Sequence, residues 1–152
     1  MTLVPAVAEK SIKNAVGGKN SMISKVKINT KIKTEFINIT NTVEKEITKN
    51  KISDGICTVF VPHTTAGITI NENADPDVVK DILMMLDRKI PLRDSDYEHS
   101  EGNSAAHIKA SVMGSSVTIF IENGKLQLGT WQGIYFCEFD GPRSREIWIK
   151  TL

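Results

Sequence analysis

Imidazole is the one side chain whose ordinary pKa lies close to neutral pH, and this chain has three, His63, His99 and His107. None sits in an apolar run. His63 follows Pro62 where the apolar stretch from Ile56 to Val61 ends, and Thr64, Thr65 and Gly67 follow it with hydroxyls and room for close backbone approach. His107 lies early in a segment that reads as a helix capped by Asn103 or Ser104, where the positive end of the helix dipole favours the neutral ring. His99 is eight positions earlier, so the two do not share a helical face. A neutral imidazole binds a metal or accepts a proton, yet no HExxH or CxxC spacing is present, so on spacing alone a surface loop histidine is the first reading.

A second group of polar residues follows Trp131 and Gln132. Glu138 and Asp140 share one strand face, and Arg143 and Arg145 share one across the turn Asp140-Gly141-Pro142. They pair with one another across a hairpin end, or they form an anion site in which the planar forks of Arg143 and Arg145 suit phosphate oxygens. Asn71, Glu72, Asn73 and Asp75 add oxygen donors, although helix capping accounts for Asp75 by itself.

The elements that position these residues follow from periodicity. Val26, Ile28, Thr30 and Ile32 alternate with polar residues as a half-exposed strand does, and Phe36 to Ile39 continues as a short one. Ile39, Val43 and Ile47 mark a helix to Asn50, and Ile56–Val61 is a buried central strand with another starting at Gly67. Asp75 and Pro76 open a helix whose apolar stripe runs Val78, Val79, Ile82, Leu83, Leu86 and Ile90, and Pro91 ends it. A third helix spans Ser104 to Met113. Then come a strand Val117–Ile121, the hairpin turn Glu122-Asn123-Gly124-Lys125, a long strand Leu126–Phe139 interrupted near Gly129 or Gly133, and a last strand Arg143–Lys150. The order β-β-α-β-β-α-α-β-β-β predicts an α+β fold with a largely antiparallel sheet, one face of which is free for another subunit.

The 152 residues suffice for one domain, residues 22–152, preceded by an N-terminal extension at 1–21. The Gly17-Gly18-Lys19 run lacks the earlier glycine of a phosphate loop. A net charge of +1 gives no field for nucleic acid, and no apolar stretch is long enough for a membrane span. Without a secretory signal, the expected location is the cytoplasm, with Cys57 and Cys137 as buried reduced thiols.

Val61-Pro62-His63-Thr64-Thr65-Ala66-Gly67-Ile68, Asn71-Glu72-Asn73-Ala74-Asp75-Pro76, Asn103 to Ala110, Leu128 to Ile134 and Asp140-Gly141-Pro142-Arg143 together resemble the YjbQ family, also called the secondary thiamine-phosphate synthase family. The resemblance runs from Met22 to Leu152. It implies a two-layer sandwich of mostly antiparallel sheets with about three helices, assembled as a homotrimer. It also implies that His63, His99 and His107 gather on a divalent metal near a subunit boundary. Three imidazoles suit zinc or another transition metal, with magnesium the poorer match. The implied reaction joins hydroxymethylpyrimidine diphosphate to thiazole phosphate and releases diphosphate. On this reading His63, Glu72, Asp140 and Arg143 are catalytic. Thr64, Thr65, Asn71, Asn103, Lys109, Trp131, Gln132 and Arg145 contact a small phosphorylated substrate. The alternatives are a metal-dependent hydrolase or lyase and a non-catalytic ligand- or metal-binding trimer.

Overall fold

The computed structural model describes residues 23–152, so the expected N-terminal extension lies outside the described residues. The elements run β1 (Ser24–Asn29), β2 (Glu35–Asn38), α1 (Thr40–Lys49), β3 (Gly55–Phe60), β4 (Ala66–Glu72), α2 (Pro76–Lys89), α3 (Ser104–Met113), β5 (Ser116–Glu122), β6 (Lys125–Leu126), β7 (Gln132–Glu138) and β8 (Ser144–Thr151). They form two antiparallel sheets. The larger has the order β1-β8-β3-β5-β6 and the smaller β2-β7-β4. The expected α+β sandwich is observed.

The main core lies between the sheets. Val59 and Ile147 from the larger sheet meet Ile68, Ile134 and Phe136 from the smaller, and α1 adds Ile39, Val43 and Ile47 from one stripe. Burial of each such side chain contributes about 1.5–3 kcal/mol. β7 is buried on both faces, as its unbroken apolar sequence requires. Its outward side chains Tyr135 and Cys137, with Phe139 beyond the strand end, meet Ala106 and Ala110 of α3 in a second cluster. Among the described residues nothing covers one face of the larger sheet, where Phe60 packs at a tilt on Trp148 with ring centroids 5.6 Å apart and Phe120 is exposed. Both cysteines are buried free thiols, and burial raises the Cys57 thiol to about 11.

Two expectations need correction. The first strand stops at Asn29, and Ile32 is exposed, because the chain turns before β2. The apolar stripe of α2 packs only at its margin: Val79 and Leu86 touch the second cluster, and no residue of the helix is fully buried. The expected interruption near Gly129 is observed: residues 127–131 loop out between β6 and β7. The hairpin turn is as expected, with Asn123 and Gly124 both at positive φ.

Gly67 makes the site possible. A Cβ there would lie 2.8 Å from the Gly114 carbonyl oxygen and 2.9 Å from Met113 Cβ, so only glycine lets the end of α3 rest on β4. Gly67→Ala is expected to cost about 1–3 kcal/mol in urea denaturation, because the obstacle is backbone that must move.

Candidate functional site

Val61–Thr65 carries the chain from β3 in one sheet to β4 in the other. Two bonds clamp this crossing to the end of α3: Val61 N–H donates to the Ser115 carbonyl at 2.8 Å, and Ile68 N–H to the Gly114 carbonyl at 3.1 Å. His63 is thereby held opposite α3, and His63, Thr64, His107, Ser111 and Ser115 line one cavity of about 500 Å³. His107 also borders a neighbouring cavity of about 550 Å³ with His99, Tyr97 and Ser104. The rings of His99 and His107 meet edge to face, with centroids 5.3 Å apart. His107 is thus the link: it shares one cavity with His63 and the other with His99.

The state of His63 follows from its contacts. Its Nε2 accepts the Glu146 backbone N–H at 3.0 Å. In the neutral ring the proton must then be on Nδ1, which makes His63 a hydrogen-bond donor to an incoming group. Burial, and then the charge of Arg145, hold its pKa below the ordinary 6.5.

This arrangement bears on the expected metal. A third imidazole ligand needs a free lone pair, and the one on His63 Nε2 is taken. Among the described residues, no three of His, Cys, Asp or Glu are grouped to hold an ion within one chain. His99 and His107 fit as a two-imidazole pair, and His63 as arranged does not fit as the third member.

The acidic and basic residues of the hairpin end pair with one another. Arg145 donates through Nε and Nη2 to both oxygens of Glu138, at 2.8 and 2.6 Å, and through Nη2 to Thr65 Oγ1. Thr30 and the backbone N–H groups of Phe139 and Asp140 complete the Glu138 shell. Burial would raise the Glu138 pKa, but these donors outweigh it and lower it. Arg145 and Thr65, both expected to contact substrate, are occupied in this buried network. Asp140 accepts from Lys33, Asn103 and Arg143, which overcome its burial and hold it at about 2. Asn103 spends its amide there and makes no capping bond to α3, leaving its Oδ1 buried and without a partner among the described residues.

The remaining candidates lie elsewhere. Glu72 pairs with Gln132 at the far end of the β4·β7 ladder from Ala66 and Glu138. Asn71, Glu72, Trp131 and Gln132 are therefore about 20 Å from the His63 crossing along the strand. There Asn71 accepts the Glu72 N–H, Gln132 accepts the Gly129 N–H, and Trp131 is exposed. Lys109 pairs with Asp87 on the side of α3 away from His107. Ser111, Ser115 and Glu146 belong to the site but gave no sequence signal, since isolated serines and a strand glutamate are ordinary surface residues.

Residues 24–152 match the family model described as UPF0047 protein YjbQ-like. The chain belongs to the YjbQ family. It is similar to the UPF0047 protein YugU of Bacillus subtilis, at 51% identity over 86% of this chain and 99% of that protein. A UPF0047 protein of Methanocaldococcus jannaschii is 52% identical over 86% of this chain and 94% of its own. A crystal structure of a YjbQ/UPF0047 protein from Clostridium acetobutylicum superposes with a TM-score of 0.83 at 60% identity, covering 85% of this chain and 99% of that one.

Arg145→Met strands a buried carboxylate and is expected to cost about 3–5 kcal/mol by urea denaturation, whereas adding Glu138→Leu restores much of it. Acid has a defined effect. His63, Glu138 and Asp140 all have folded pKa values below their ordinary ones, so the unfolded chain binds more protons and acid favours it. Thermal melting should weaken first as pH falls below 6.5, the ordinary value for His63, and again from 3.8 towards about 2 as Asp140 titrates.

Proposed function

We propose that this YjbQ-family chain is an enzyme acting on a phosphorylated small molecule in the cleft between the His63 crossing and α3. The reaction that fits best is thiamine-phosphate synthase-like. The thiazole nitrogen bonds to the methylene carbon of hydroxymethylpyrimidine diphosphate as the carbon–oxygen bond to diphosphate breaks. The observation carrying this reading is a neutral His63, anchored by a backbone amide at Nε2, facing His107 across one cavity. Its Nδ1–H supplies a hydrogen bond to the departing oxyanion, and Thr64, Ser111 and Ser115 add hydroxyls around it. Arg143 contributes charge from outside this cavity. The buried thiols support a reducing cytoplasm as the working location.

The expected result is thiamine phosphate formed from the two precursors by the purified protein. His63→Ala should slow turnover by roughly 10²-fold or more. The wild-type rate should hold at neutral pH and fall on a limb below 6.5, because protonation at Nε2 breaks the bond from Glu146 N–H that aims the Nδ1–H. No product above the His63→Ala background would sink the proposal.

The contact between His99 and His107 favours a second reading, a metal-dependent hydrolase or lyase. Zinc or another transition metal would be held by that pair with a further ligand from outside this arrangement. Elemental analysis after dialysis tests it: metal near one equivalent per chain, lost in His107→Ala and kept in His63→Ala, supports it.

We further propose a homotrimer that covers the bare aromatic face of the larger sheet. Phe120→Glu should dissociate it in analytical ultracentrifugation. A wild-type monomer, or a trimer unchanged by the substitution, counts against this.

A further inference from the structure

A third cavity, of about 480 Å³, opens between the end of α2, the opposite side of α3 and the turn at Ile32–Thr34. That volume is in the range of small-molecule sites. Ile32, Pro91, Leu92 and Phe139 provide apolar wall, and Lys33 and Lys109 provide cations. Lys109 is the unusual member. Its side chain is 3% exposed, yet its carboxylate partner, Asp87, is 63% exposed. An ammonium has three donors, and among the described residues Asp87 is the side chain bonded to this one. A buried charge needs compensation, and here an exposed surface carboxylate provides it.

The surroundings favour an anion. Lys33 and Arg143 both bond Asp140, so two cations meet one carboxylate. Lys33 is half-exposed and faces the same cavity as Lys109. Ala105 and Ala106 bring the first turn of α3 to the wall, and that turn has no side-chain cap.

We propose that this cavity binds a small organic anion, a carboxylate or a phosphate ester with an apolar body, whose oxyanion takes the place of Asp87 on Lys109. Asp87 is then a tethered occupant that competes with the ligand. The competing account, a simple brace between α2 and α3, predicts the opposite response to removing it. The proposal is independent of the histidine cleft, which lies across α3.

Amide chemical shifts report both places separately. Phenyl phosphate and benzoate, each titrated into the isotope-labelled full chain, serve as probes and distinguish phosphate ester from carboxylate. At least one should give saturable shifts at Thr34, Ala105 and Ala106. Asp87→Asn should tighten that binding several-fold, whereas Asp77→Asn on the same helix leaves it unchanged. Lys33→Ala should weaken it several-fold, and Lys109→Met should abolish it. If Lys109→Met does not fold, the opposite signs of Asp87→Asn and Lys33→Ala still decide. Absence of saturable shifts at these three residues with both probes overturns the proposal. So does an Asp87→Asn variant that is less stable and binds no more tightly. Shifts confined to Thr64, Ser111 and Ser115 would assign the probe to the histidine cleft and overturn it as well.

Discussion

The buried pairing of Glu138 with Arg145 is the interaction on which the rest of the molecule depends. Glu138 ends β7 in the smaller sheet, and Arg145 is near the start of β8 in the larger. Their two-pronged contact, extended by Thr30 and Thr65, ties four segments together at the corner where the sheets part. Such a pair contributes less net stability than its Coulomb attraction suggests, because both ions lose their water. Its value is geometric. The planar guanidinium fixes the approach of the two strands, and a hydrophobic replacement of similar volume would not impose that direction.

The site is a consequence of that corner. Thr65, bonded to Arg145, ends the crossing that carries His63. Glu146, next to Arg145, donates the amide that anchors the His63 ring. One strand start therefore sets the inter-sheet geometry with one residue and the tautomer of His63 with the next. On the far side, Gly67 admits α3 close enough for His107 to face His63. The charge of Arg145 acts on His63 as well, so the structural pair and the chemistry are electrostatically coupled.

Much of this was legible in the chain. Alternation and capping located most elements, and the Asn123-Gly124 turn and the Asp75-Pro76 helix start are local signals that tertiary structure did not override. The three histidines stood out by type and setting. What could not be read is long-range. Thr30 meets Glu138 across 108 positions, and Lys33 meets Asp140 across 107. No local pattern encodes such pairings. Arg145 and Arg143 look equivalent in sequence, yet one is buried against Glu138 and the other half-exposed, because Arg145 lies within β8 and Arg143 in the turn before it. The stripe on α2 was read correctly as apolar but not as marginal, since periodicity gives a direction and not a depth.

That marginal helix gives the molecule a soft wall. The core between the sheets takes nothing from α2, which is attached through half-buried Val79 and Leu86 and the exposed partner of Lys109. Lifting it breaks few apolar contacts and leaves both sheets intact. Backbone amides of α2 should therefore exchange with solvent through local opening, at a free energy well below that of unfolding, while those of β7 wait for the whole domain to open. The same opening would give water access to Phe139 and Lys109 behind it.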